Sequence, residues 1–198
     1  MGFGLVLLGY LSVLGVLPYL FLYYSWGVYI AIAGALIMLA GFCRLAAYNV
    51  FFKFTKYICV VYILILLGFT PFLILNRGGE VFTVVSKITR ICVLLAFHFF
   101  LITGISALAS EIENKLVLKK AKRAIYVLYA FFSAFILEFF EIPVITQILI
   151  VFTLVFYFMM FSLVYSCYMR ITYEGHDEEI DAKFDAKFDR KSNKKKKG

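Results

Sequence analysis

Residues 91–109 read ICVLLAFHFFLITGISALA and contain no Asp, Glu, Lys or Arg. A membrane-spanning helix needs about 20 apolar residues, because about 30 Å of hydrocarbon is crossed at about 1.5 Å per residue. Lipid offers no hydrogen-bond partner to open backbone groups, so a helix is the expected conformation. The stretch therefore predicts a transmembrane helix.

Five further stretches are apolar over a similar length. They run from about Phe3 to Tyr24, Gly27 to Ala47, Tyr57 to Leu75, Ala124 to Phe140 and Pro143 to Met169. The whole chain is 64% hydrophobic and only 16% charged, whereas a soluble domain is nearer half apolar and a quarter charged. We predict an all-α integral membrane protein in which residues 1–173 form a bundle of about six transmembrane helices.

Basic residues predict the orientation of this bundle. The connector after the second predicted span holds Arg44, Lys53 and Lys56. The connector after the fourth holds Lys115, Lys119, Lys120, Lys122 and Arg123, and Arg170 and the basic tail follow the sixth. Six spans place all three regions on one side, and loops rich in Lys and Arg stay in the cytoplasm. We therefore predict that both termini are cytoplasmic. The connector with Arg77, Lys87 and Arg90 is the exception.

The segment just before residue 91 has an amphipathic pattern. Val81, Val84, Val85 and Ile88 follow the i, i+3, i+4, i+7 spacing of one helix face. The pattern fits a separate interfacial helix or the outer end of the fourth span. We favour one continuous helix.

Residues 174–198 form a charged tail that we assign to the cytoplasm. The tetrapeptide Ala-Lys-Phe-Asp occurs twice in tandem at 182–189, and Ile180, Phe184 and Phe188 fall on one helix face. We predict a short amphipathic helix followed by a disordered Lys-rich end. Basic contacts with an anionic cytoplasmic leaflet are expected at Lys119, Lys120, Lys122, Arg123, Lys194, Lys195, Lys196 and Lys197. The alternative for the tail is a solvated segment without a binding role.

Few ionisable or amide side chains fall within the predicted spans, and these are candidates for function. His98, Glu138, Glu141 and Gln147 would lie in the outer half of the bilayer. Such a cluster could bind a ligand, relay protons or hydrolyse a lipid-linked bond. Alternatively, both glutamates are interfacial and His98 is a buried histidine bonded to a neighbouring helix.

Catalytic and metal-binding motifs are not recognisable in the sequence. His98 has no Ser, Cys or Asp placed for a triad, and no His-Glu-x-x-His or Cys-x-x-Cys spacing occurs. We predict no catalytic residue, no metal site, no cofactor and no nucleic-acid partner.

Small residues indicate close helix packing. Gly27, Ala31 and Ala35 are spaced by four, as are Ser106 and Ser110. Such faces let helices approach closely, either inside this bundle or against a protein partner or a second copy.

The functional hypotheses follow from this pattern. We expect a non-enzymatic multi-pass protein of a bacterial plasma membrane, either a small transporter-like protein or an accessory subunit of a membrane complex. The first alternative is a membrane-embedded enzyme acting on lipid, with its polar centre at His98, Glu138 and Glu141. The second is a scaffold or regulator that acts through its basic tail.

Overall fold

The computed structural model describes residues 2–13, 26–74, 80–137 and 143–172. This part of the chain is all-helical and contains no strand. Its six α-helices are α1 (Phe3–Val13), α2 (Trp26–Leu45), α3 (Val50–Ile74), α4 (Glu80–Glu111), α5 (Lys115–Leu137) and α6 (Pro143–Cys167). A short π-helical turn, Tyr168–Thr172, continues α6. Glu138, Glu141, the end of the first predicted span and the tail lie outside the described residues.

Three of the described helical stretches are long and apolar enough to cross a membrane: Val50–Gly68, Ile91–Glu111 and Leu154–Ile171. Large apolar side chains face outward along them, with Leu64 61% exposed and Phe158 75% exposed. Apolar surface of this extent is rare on a soluble protein. These helices confirm the helical class and indicate a membrane-embedded protein.

Helices α1 to α4 alternate in direction. The start of α1 packs against the end of α2, where Gly2 meets Gly41. The Phe3 ring also packs edge-on against Phe52 near the start of α3, with ring centroids 5.9 Å apart. Phe52 in turn covers Gly104, near the end of α4. The same end of the bundle therefore holds the starts of α1 and α3 and the ends of α2 and α4.

The two connections at this end are shorter than the sequence predicts. We expected Lys53 and Lys56 in a connector, but both lie in α3, and α5 begins nine residues before the predicted Ala124. The predicted boundaries were wrong because lysines were assigned to loops. A helix tolerates lysine at the edge of the membrane, since its long stem reaches back to the headgroups.

Asparagine side chains cap the N-termini of α3 and α5. The Phe51 N–H donates to Asn49 Oδ1 at 2.9 Å, and the Val117 N–H donates to Asn114 Oδ1 at 3.2 Å. Each bond satisfies an N–H group that the first turn of a helix leaves without a partner. Residues 46–49 and 112–114 are thereby enough to connect the helices.

The end of α4 is closed by its own backbone. The Asn114 N–H donates to the Ala109 carbonyl at 2.9 Å, and the Glu113 N–H donates to the Ser110 carbonyl at 3.4 Å. This pairing is a Schellman motif. It places Glu113 in the left-handed region, with φ 57°, where glycine is the residue most often found.

The amphipathic segment before residue 91 belongs to α4. One helix of 32 residues runs from Glu80 to Glu111 without interruption, so the prediction of a continuous helix is confirmed. The start of α6 at Pro143 also agrees with the predicted start of the sixth span.

Helices α1 and α2 meet through glycines in register. A Cβ on Gly9 would lie 2.5 Å from the Gly34 carbonyl oxygen, and one on Gly41 would lie 2.8 Å from the Gly2 carbonyl oxygen. Gly2 and Gly9 are seven residues apart, as are Gly34 and Gly41, so both contacts recur after two helical turns. The predicted spacing of four does not describe this register. Ala35, which it did single out, is buried within the bundle.

A side chain at Gly9 should force α1 away from α2. We expect Gly9→Val to lower the free energy of unfolding by about 1–3 kcal/mol, the usual cost of overpacking a tight contact. The measurement is unfolding of the purified protein in mixed detergent micelles.

The matched control is Gly68→Val in α3, because a Cβ at Gly68 meets nothing within 4 Å. This variant should unfold close to the unmodified protein. Equal losses for the two variants would contradict the close glycine contact.

Candidate functional site

His98 lies on α4, seven residues after Ile91, and only 1% of it is exposed. Its Nδ1 is 2.7 Å from the Leu94 carbonyl oxygen. Because a carbonyl only accepts, Nδ1–H is the donor, and the neutral ring keeps Nε2 as an acceptor. The Tyr10 hydroxyl, 3.2 Å from Nε2, then donates to it. Both ring nitrogens are therefore satisfied, one within α4 and one by α1.

Aromatic rings enclose this histidine. The ring centroids of Phe156, Tyr10 and Tyr157 lie 5.0, 6.1 and 6.3 Å from that of His98. Phe156 also stacks on Phe131 of α5, with centroids 4.5 Å apart. Helices α1, α4, α5 and α6 thus meet in an aromatic centre around His98.

The other members of the predicted polar cluster are not at this centre. Gln147 is exposed on α6, and it precedes Phe156 by nine residues, or about 13 Å along the helix axis. Glu138 and Glu141 lie outside the described residues. The structure joins His98 to Tyr10 instead, which is the buried histidine bonded to a neighbouring helix that the sequence left open. Tyr10 was not among the candidates predicted from the sequence, because it is one of several hydroxyl-bearing residues in the first predicted span.

The basic residues at the start of α5 have different environments. Lys119 and Lys122 are exposed, and no bond of their side chains is seen within the described residues. Lys120 turns toward α6, where its Nζ donates to Ser166 Oγ at 2.6 Å and to Ser162 Oγ at 3.3 Å. Lys194, Lys195, Lys196 and Lys197 lie outside the described residues. Lys120 thus connects two helices.

A cavity of about 850 Å³ lies beside this lysine. We call it the basic groove. Its walls are Tyr10 and Leu11 of α1, Lys120 and Arg123 of α5, and residues of α6 between 154 and 163. Most of the lining is apolar, with the two cations on one wall. Pockets that bind small molecules have about this size and this combination of apolar walls with a few polar groups.

The described part of the chain contains neither a cluster of metal-ligating side chains nor a disulfide bond. No group of three His, Cys, Asp or Glu side chains there is close enough to hold a metal ion. All four cysteines are free thiols, with Cys59 and Cys167 buried and Cys43 and Cys92 exposed.

Comparisons with known proteins give no relative: no family model, no curated protein and no solved structure matches this chain.

The hydrogen bond between Tyr10 and His98 should couple α1 to α4. In a double-mutant cycle of Tyr10→Phe and His98→Phe, we expect a coupling free energy of about 0.5–1.5 kcal/mol, the range found for hydrogen bonds between membrane helices. Unfolding in mixed micelles supplies the four free energies.

A second cycle serves as the control. The Thr103 hydroxyl bonds to Phe99 of its own helix at 2.7 Å, so Thr103→Val and Tyr10→Phe should have additive effects. Additive effects in the Tyr10 and His98 cycle as well would show that their bond does not stabilise the fold.

Proposed function

We propose that this chain crosses a bacterial plasma membrane six times, with both termini in the cytoplasm. The observation that supports this is that nine of the eleven lysines and arginines among the described residues lie at one end of the bundle, with Lys87 and Arg90 of α4 as the exceptions. Lysines and arginines occupy the end of α2 and the starts of α3 and α5, and Arg170 follows α6. Acids among the described residues at this end are Glu111 and Glu113. The positive-inside rule assigns such an end to the cytoplasm.

The bonds of Lys120 support the same alternation of direction for α5 and α6. It lies five residues after the start of α5 and bonds Ser166, next to the end of α6. The end of α6 therefore lies at the same level as the start of α5. With α1 to α4 already alternating in direction, the sixth helix ends where the first begins.

Within this topology, we favour an accessory subunit of a membrane complex over a lone transporter. A transporter needs a polar path through its centre, but aromatic rings fill the described bundle around His98. Outward apolar faces on α3 and α6 remain available to lipid or to other membrane helices. An accessory subunit needs such faces to contact its partner and does not need a polar path through its own bundle.

The alternatives receive less support. An enzyme centred on His98 would need a ring nitrogen that can reach substrate, whereas both nitrogens are occupied and the ring is buried. A scaffold acting through the tail rests on residues outside the described part of the chain.

The proposed orientation can be tested by cysteine labelling in intact cells. In a variant whose four native cysteines are replaced, Ser25→Cys should react with a membrane-impermeant maleimide. Lys115→Cys, at the basic end, should react only after the cells are permeabilised. Labelling of Lys115→Cys in intact cells would contradict the cytoplasmic placement.

The proposed role as a subunit can be tested by photo-crosslinking in the native membrane. A photoreactive residue at Leu64 or Val151, both more than 60% exposed, should produce a discrete product larger than the 22.7 kDa chain. The same residue at the buried Phe52 position is the control and should give none. Crosslinks to lipid alone, together with a lone monodisperse chain after mild extraction, would contradict the proposal.

A further inference from the structure

No acid among the described residues of its walls balances the charge of the basic groove. The described helices that form it, α1, α5 and α6, contain no Asp or Glu. Lys120 donates to two serine hydroxyls, which are neutral, and Arg123 lies one turn further along α5. The groove therefore presents two cations to whatever occupies it, and an anion is the complementary ligand.

The groove has a charged part and an apolar part at different depths. Lys120 and Arg123 lie about 7 and 12 Å along α5 from its start at the basic end. From Ser162, beside Lys120, the wall of α6 continues toward the middle of the bundle through Phe158 and Leu154, about 12 Å away. One leaflet contributes about 15 Å of hydrocarbon. The apolar wall thus matches the depth of a single leaflet.

The apolar side of the groove opens sideways. Val155 is 56% exposed and Phe158 is 75% exposed, so the edge of the groove faces outward from the bundle. In a membrane this direction leads into the lipid phase. A ligand can enter laterally from the leaflet while its charged group stays near the basic end.

We propose that the basic groove binds one anionic phospholipid. Its phosphate contacts Lys120, Arg123 and the Ser162 hydroxyl, and part of an acyl chain lies along α6 past Phe158. Cationic side chains and a hydroxyl are suitable donors for phosphate oxygens, and the apolar wall replaces contacts with neighbouring lipids. The same charges would place the lipid in the cytoplasmic leaflet.

This assignment to the cytoplasmic leaflet rests on the orientation proposed above, but binding itself does not. The experiment therefore uses the purified full chain in detergent, where neither orientation nor a partner subunit matters. Native mass spectrometry then counts bound dioleoyl phosphatidylglycerol and, as the neutral comparison, dioleoyl phosphatidylcholine.

We expect one phosphatidylglycerol per chain and much weaker binding of phosphatidylcholine. The double variant Lys120→Gln with Arg123→Gln should raise the Kd for phosphatidylglycerol roughly 30-fold, at about fivefold for each cation near an anionic lipid surface. The conservative pair Lys120→Arg with Arg123→Lys should retain most of the affinity and shows whether loss reflects charge or misfolding.

The matched control removes the same charge from the same helix outside the groove. Lys119→Gln with Lys122→Gln should change the Kd less than threefold. Equal weakening by the two glutamine pairs would overturn the proposal, because it would indicate diffuse attraction to the basic end. Filling the apolar part by Val155→Trp should also weaken binding, and unchanged binding in that variant would count against the assigned path of the acyl chain.

Two further arms identify the occupant. Glycerol 3-phosphate at millimolar concentration should not displace the lipid, and full displacement would show that the site recognises free phosphate esters. Truncation after Tyr173 should leave the Kd unchanged. The first residues of the tail, 174–181, read EGHDEEID and are acidic. A tenfold gain in affinity after truncation would identify this acidic segment as the natural occupant and overturn the lipid assignment.

Discussion

Hydrocarbon cannot hydrogen-bond, and this constraint accounts for how the buried polar side chains of the described bundle are paired. The backbone is helical throughout the described spans, so its donors and acceptors are paired internally. Side-chain hydroxyls follow the same rule, because Thr55, Thr103 and Ser166 each donate to the carbonyl four residues earlier. The imidazole of His98 uses both of its nitrogens. Polar residues are thus tolerated where a helix or a neighbouring side chain satisfies them.

Hydropathy and segment length were enough to predict where the helices lie. They located every described helix and the start of α6 at Pro143, because these features depend on local composition alone. They failed at the starts of α3 and α5, since a lysine such as Lys53 is compatible with a loop and with a helix at the membrane edge. The hydrogen-bond partner of His98 could not be predicted from the sequence either. Tyr10 is 88 residues away, and no local pattern relates two such positions.

The bundle combines an aromatic centre with a charged end. Around His98 the helices are joined by aromatic packing, which depends on shape and fixes how the helices sit together. Near Lys120 they are joined by a flexible side chain between two serines. A long, mobile cation can change its partner without disturbing the packing, whereas an enclosed ring cannot. The basic groove is therefore the place where the proposed lipid exchanges contacts with the protein, and the aromatic centre belongs to the framework.

The glycine register between α1 and α2 has a consequence for biosynthesis. Both contacts fall within residues 2–41, so the pair is complete once this short segment has left the ribosome. Nascent chains acquire structure from the N-terminus onward, and contacts close in sequence form with little loss of chain entropy. Helices α1 and α2 can consequently associate before α3 to α6 have been made, and they offer a surface on which these later helices assemble.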